Sequence, residues 1–140
     1  MKATNLEEDA ARPNHGTGTK KILLVDDSST SRMTARMLLS GHESYVLTSA
    51  CDGQEGVEKA IAELPNLILM DIEMPRMNGI DACRLLKQNK ATKNIPVVLL
   101  TMRGEEQFVR EAHASGCNEF LTKPVNEQKL SMVIKKYLGS

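Results

Sequence analysis

The chain holds 140 residues, 41% of them hydrophobic, enough for one core of the size a single domain buries. Its 18 basic and 18 acidic side chains cancel, which argues against a surface made to neutralise nucleic-acid phosphates or anionic lipid. No apolar run approaches the roughly 20 residues of a membrane-spanning helix, and Glu7, Glu8 and Asp9 stand where a secretory leader needs apolar side chains, so a cytoplasmic protein is expected.

Residues 1–19 place Asn14, Gly16, Thr17, Gly18 and Thr19 around Pro13 with scarcely an apolar anchor, the composition of a disordered tail. Residues 20–140 alternate short apolar runs with stretches of helical period. The runs, at 22–25, 45–50, 67–70, 97–100 and 119–122, have the length and β-branched content of buried parallel strands, the second and fifth being the least apolar. Helical spacing follows in Val57, Ile61 and Leu64, and most clearly in Leu130, Val133, Ile134, Tyr137 and Leu138. Ser28, Ser29 or Thr30 can cap the first helix, Asp52 the second, and Gly116 can close the fourth. Cys51, Cys83 and Cys117 lack Cys-x-x-Cys spacing and read as small buried hydrophobes in a reducing compartment. His15, His42 and His113 are scattered and show no metal spacing.

Five βα units predict an α/β fold: a doubly wound, five-stranded parallel sheet with helices on both faces. Ligands in that architecture gather at the carboxyl ends of the strands, beside the point where strand order reverses. There the first strand ends in Asp26-Asp27, the third runs into Asp71, the fourth ends at Thr101, and the fifth leads to Lys123-Pro124. Three carboxylates brought together repel one another, and a hard divalent cation with oxygen ligands relieves them, magnesium above all. A carboxylate in that setting can attack phosphorus and form an acyl phosphate, whose charge an ammonium such as Lys123 and a hydroxyl such as Thr101 can meet. Taken singly, Asp-Asp after a strand is a turn or cap, Thr at a strand end is packing, and Lys-Pro is a solvated loop. Their convergence on one sheet edge favours a phosphoryl-accepting pocket.

The stretches Ile22-Leu-Leu-Val-Asp-Asp-Ser28, Leu69-Met-Asp-Ile-Glu-Met-Pro75 with Asn78-Gly79, Leu99-Leu-Thr101 and Phe120-Leu-Thr-Lys-Pro124 make the chain resemble the response-regulator receiver family of two-component signalling. The resemblance extends from about Lys20 to the C-terminus. It implies a flavodoxin-like (βα)5 fold in which Asp71 is the phosphorylated aspartate. Asp26, Asp27, Asp71 and the backbone carbonyl of Glu73 would hold Mg2+, and Lys123 and Thr101 would contact the phosphoryl group. It also implies a cis peptide bond between Lys123 and Pro124. Such a protein is no ordinary enzyme but a phosphoacceptor that assists its own phosphorylation and dephosphorylation. The donor is a phosphohistidine on a histidine kinase or phosphotransfer protein.

In the family, activation couples movement of the threonine to an inward turn of an aromatic residue, here Phe120, where tyrosine is common. Plain core packing of Phe120 is compatible with that role. Met102 stands where small residues are usual and offers a thioether close to the aromatic's path. Glu73 and Arg103 occupy positions that tune hydrolysis of the phosphoryl group; a salt bridge between them would restrict water, whereas solvated charges would ignore each other. The helix expected between Gly104 and Ser115 has only Phe108, Val109 and Ala112 to bury, so weak anchoring is expected of it. The fourth helix, fifth strand and fifth helix, roughly residues 104–138, form the face that meets a downstream target protein. The sequence ends at Ser140, so output through protein binding is expected from a stand-alone receiver, either a chemotaxis-type or motility regulator or a phosphoryl carrier in a relay, monomeric or weakly dimeric. An excised receiver from a longer regulator and a receiver-like adaptor that takes no phosphate are the alternatives.

Two other classes share parts of this pattern. A flavodoxin-type electron carrier must receive a flavin phosphate where Asp26-Asp27 would repel it, and the chain has two Tyr, two Phe and no Trp to stack the ring. A haloacid-dehalogenase-type phosphatase places an Asp-x-Asp pattern after the first strand, where this chain has adjacent aspartates.

Overall fold

The computed structural model describes residues 19–39 and 45–139; the expected tail, apart from Thr19, lies outside them, as do His15 and His42. Strands β1 (Lys20–Val25), β2 (Tyr45–Ala50), β3 (Leu67–Asp71), β4 (Val97–Thr101) and β5 (Glu119–Thr122) alternate with helices α1 (Ser29–Leu39), α2 (Gly53–Glu63), α3 (Gly79–Gln88), α4 (Glu106–Ala114) and α5 (Glu127–Leu138). The strands form one parallel sheet in the order β2-β1-β3-β4-β5. The chain thus steps outward from β1 to β2, then returns to the other side of β1 for the rest. The doubly wound, flavodoxin-like architecture expected from the alternation is present. The two least apolar runs, β2 and β5, are the sheet's edges, where water reaches one flank.

Side chains alternate between the faces with the period of two that an extended backbone imposes. Leu23, Val25, Ile68, Met70, Val97 and Leu99 enter one cluster with Ala60, Ile80, Cys83, Leu86 and Ala112 of α2, α3 and α4. Ile22, Leu24, Leu67, Leu69, Val98 and Leu100 enter the other with Leu39 of α1 and Leu130, Val133, Ile134 and Leu138 of α5. A strand buried on both faces needs a continuous apolar run, which β1, β3 and β4 supply.

Helix starts follow the capping chemistry. The Ser28 hydroxyl accepts the Ser31 N–H at 3.1 Å, and Asp52, Asn78 and Asn126 each accept an N–H from the first turn of α2, α3 and α5. Helix α4 has no side-chain cap at Glu105 and closes through Ser115 into Gly116, whose φ of 93° is costless without a Cβ.

Two details depart from the sequence reading. On α2, Ile61 is 41% exposed and Leu64 leaves the helix in the left-handed region, so the apolar spacing misplaces the inner face. That face is set by small residues: a Cβ on Gly56 would come within 2.9 Å of both Val25 methyl groups, so α2 sits too close to the sheet for larger side chains. Among the cysteines Cys83 is buried and Cys117 half-buried, but Cys51 is exposed after the end of β2, because the chain has already left the core there. Among the described residues no helix is long and apolar enough to cross a membrane.

Candidate functional site

The carboxyl ends of β1 and β3 meet where the strand order reverses, and the chain continues into Asp26 immediately after β1 while β3 itself ends on Asp71. Both aspartates are buried, whereas Asp27 is exposed. Asp26 is fixed from several sides. Its N–H donates to the Ala50 carbonyl at 3.1 Å, its Oδ1 accepts the Ser28 N–H at 2.9 Å, and its carbonyl accepts from Arg32 at 2.6 Å. One carboxylate oxygen from each of Asp26, Asp27 and Asp71 lies within 4.8 Å of the others.

Lys123 faces this group from beyond β5, with Nζ 3.3 Å from Asp71 Oδ2 and 3.5 Å from Asp26 Oδ2. The Lys123 N–H donates to the Thr101 carbonyl at 2.7 Å, and the Lys123–Pro124 peptide bond is cis. Burial pushes the Asp71 carboxyl up to about 6; the Lys123 ammonium pulls the other way, and the Asp26 charge adds to the rise. Asp71 Oδ1 is buried without a hydrogen-bond partner, unlike any other buried side-chain oxygen or nitrogen among the described residues. A carboxylate left so exposed to its neighbours' charge has the oxygens a hard divalent cation takes, and the three aspartates fit Mg2+ by donor type and closeness.

The loop after Asp71 is drawn back over the strand end. Ile72 N–H donates to the Leu100 carbonyl at 2.8 Å and Gly79 N–H to the Ile72 carbonyl at 3.0 Å. A Cβ on Gly79 would sit 2.4 Å from the Asp71 carbonyl oxygen, so only glycine permits this return, and Asn78 just before it caps α3. Those contacts give the Asn78-Gly79 pair a structural reason at the site.

Thr101 is fully buried at the end of β4. Its hydroxyl donates to Glu73 Oε2 and accepts the Arg103 N–H at 2.9 Å, while Met102 N–H reaches Glu73 Oε1 at 3.3 Å. The considered Glu73–Arg103 salt bridge is absent: Arg103 pairs with Glu105 at 3.3 Å and lies 4.9 Å over the Phe108 ring. Glu73 turns inward to Thr101 because two donors await it there. Met102 is 75% exposed and belongs to neither apolar cluster. Phe120 is half-buried against the cluster beneath α4, its ring centroid 6.3 Å from that of His113 in a stacked arrangement. The Glu73–Thr101 and His113–Phe120 contacts were not legible beforehand, since nothing in the spacing says where an exposed side chain folds back.

The response regulator receiver domain family matches residues 22–135. The chain is 36% identical to Protein PilG of Pseudomonas aeruginosa over 120 residues, 86% of this chain and 88% of that one. It is 38% identical to Protein PilH of the same organism over 119 residues, 85% of this chain and 98% of that one. Among solved structures, the receiver domain of the sensor histidine kinase PA1611 from Pseudomonas aeruginosa, with a magnesium ion coordinated in its active site cleft, is similar with a TM-score of 0.79 and 25% identity. That match covers 88% of this chain and all of the other. The acidic strand ends, the parallel order β2-β1-β3-β4-β5 and these likenesses agree, and the chain belongs to the response regulator receiver family, which signals through phosphorylation in two-component systems.

Proposed function

We propose that Asp71 accepts a phosphoryl group from a phosphohistidine on a histidine kinase or phosphotransfer protein, and that this changes how the α4-β5-α5 face binds a downstream protein. The observation that carries the reading is the state of Asp71 itself: a buried carboxylate with one oxygen 3.3 Å from Lys123 Nζ and the other without a partner. In the transfer an Asp71 carboxylate oxygen forms the new O–P bond as the N–P bond breaks, its electron pair returning to the donor imidazole. Lys123 neutralises the phosphoryl oxygens, and the Thr101 hydroxyl can donate to one of them. Asp26, Asp27, Asp71 and the Glu73 carbonyl would hold Mg2+, which when bound supplies positive charge to both the carboxylates and the incoming phosphoryl oxygens. Hydrolysis of the acyl phosphate then requires water to enter the same pocket, where Asp26 and Asp71 are buried.

The partner face is supported by how loosely α4 is held. Only Ala112 of that helix is fully buried, with Phe108 and Val109 half out of water, and its start has no side-chain cap. Thr101 of β4 pairs with Thr122 of β5, and Phe120 lies beneath α4, so a displacement at Thr101 has a short packed route to that surface. Intact mass measurement after incubation with acetyl phosphate, with and without Mg2+, tests the chemistry. The parent should gain one phosphoryl mass only with Mg2+, and Asp71→Asn none. No gain from acetyl phosphate or from a phosphorylated histidine phosphotransfer domain would overturn the reading.

A further inference from the structure

Thr101 does not hold a spare hydroxyl. Glu73 spans it and the next backbone amide, one carboxylate oxygen on the Thr101 O–H and the other 3.3 Å from the Met102 N–H. Two adjacent donors gripping two oxygens of one anion is the arrangement that phosphoryl oxygens require. Glu73 follows Asp71 by two residues, on a loop fastened to Leu100 and Gly79 by the Ile72 hydrogen bonds, so its reach to β4 is short and fixed. No cation competes for it: among the described residues Glu73 has no ion pair, Arg103 being engaged by Glu105 and Lys123 by Asp26 and Asp71. Glu73 is nevertheless exposed, so its carboxylate regains water readily on leaving.

We propose that Glu73 is a positioning residue whose carboxylate stands in for the phosphoryl group in the resting protein, occupying the Thr101 hydroxyl and the Met102 amide until a phosphoryl group on Asp71 displaces it. The idea rests on the phosphoacceptor reading of Asp71 and adds a regulatory element to that site. A competitor tethered two residues away acts at an effective concentration of about millimolar or more, so it lowers the affinity of any anion seated on Asp71. It also holds Thr101 in its resting place, so that Thr101 moves only when the stronger anion arrives. Loss of the carboxylate should favour the phosphorylated arrangement.

The test uses beryllium fluoride, which with Mg2+ and an aspartate mimics an aspartyl phosphate without phosphoryl transfer. Its dissociation constant is measured by calorimetry at saturating Mg2+ for the 140-residue parent, Glu73→Ala, Glu73→Gln, Thr101→Ala and the Glu73→Ala/Thr101→Ala double variant. Glu73→Ala should tighten binding on the order of tenfold, the ratio expected for removing a competing carboxylate held by charge-assisted hydrogen bonds, the Met102 one long. Glu73→Gln, which keeps an acceptor but no charge, should fall between. The gain should be much smaller in the Thr101→Ala background, where only the Met102 amide is left to compete for, and without ligand the Met102 amide proton should move upfield in Glu73→Ala. Unchanged or weaker binding by Glu73→Ala overturns the proposal, and so does an equal gain without Thr101, which would mean general charge repulsion. A parent that neither binds beryllium fluoride nor takes up phosphate would instead bring down the phosphoacceptor reading, and the competitor role with it.

Discussion

The candidate site has two unlike halves. Asp26 and Asp71 lie at the ends of β1 and β3, two of the three strands with a neighbour on each side and apolar clusters on both faces, and hydrogen bonds hold Asp26 from three directions. Thr101 and Lys123 belong to the β4-β5 side, next to an edge strand, an uncapped α4 and a loop whose Met102 and Arg103 are exposed. In the proposed function the rigid half would fix where a cation and a phosphoryl group are placed. The other half is held through exposed side chains, Glu73 on Thr101 and His113 on Phe120, and in the proposed function it would be the half that responds.

The sharpest test of the rigid half is what it costs to bury the Asp71 charge, with the Asp26 charge adding to that cost. The folded protein keeps a proton on Asp71 up to a pH of about 6, whereas the unfolded chain loses it near 3.8, so the native state binds more protons in between. By linkage, stability falls as pH rises from the unfolded to the folded value and stays lower above it. Asp71→Asn should abolish phosphoryl uptake and, in magnesium-free buffer at pH 7, raise stability toward urea by up to about 3 kcal/mol. The difference should close at pH 4, where Asp71 is becoming protonated in both states, and Mg2+ should shrink it at pH 7 by stabilising only the parent. An equal gap at both pH values would mean that Asp71 carries no such cost.

The same contrast governs what was readable from the sequence. The central strands were legible almost to the residue because burial on both faces demands unbroken apolar runs, which nothing else in the chain imitates. Asp26, Asp27, Asp71, Thr101 and Lys123 were legible as a group because strand ends in this architecture must converge. The inner face of α2 was not, because small residues such as Gly56 and Ala60 set it while the apolar Ile61 turns outward. The partners of Glu73, Arg103 and His113 were also hidden, since long exposed side chains choose among several neighbours by differences too small for spacing to encode. The responsive half is thus the part that sequence patterns describe least.

Packing energies should divide along the same line. Leu69 is 1% exposed in the middle of β3, and Leu69→Ala should cost about 2–5 kcal/mol through lost transfer energy and the cavity left behind. Phe108 on α4 is only partly out of water, and Phe108→Ala should cost about 1 kcal/mol despite the larger side chain. Urea denaturation measures both. Hydrogen exchange should also show the amides of α4 opening well below the global unfolding energy, with those of β3 opening only at it. A Phe108→Ala cost equal to that of Leu69→Ala, or equal protection of α4 and β3, would erase the distinction between the halves.

The smallest effect is expected at Met102, and it separates the loop's surface from its backbone. Its backbone amide belongs to the Glu73 contact, but its side chain is 75% exposed and touches neither cluster. A thioether in water neither fills space beside Phe120 nor obstructs that ring, although the sequence puts its bulk close to the aromatic's path. Met102→Ala should therefore change stability by less than about 0.5 kcal/mol and leave the rate of phosphoryl uptake from acetyl phosphate within about twofold of the parent. Any effect should show instead in affinity for a protein docked over α4 and β5, where an exposed, flexible side chain adapts to a partner's surface. Faster uptake in Met102→Ala would show that the side chain folds inward during the response, and that the adjustable half reaches further along the loop than the resting arrangement reveals.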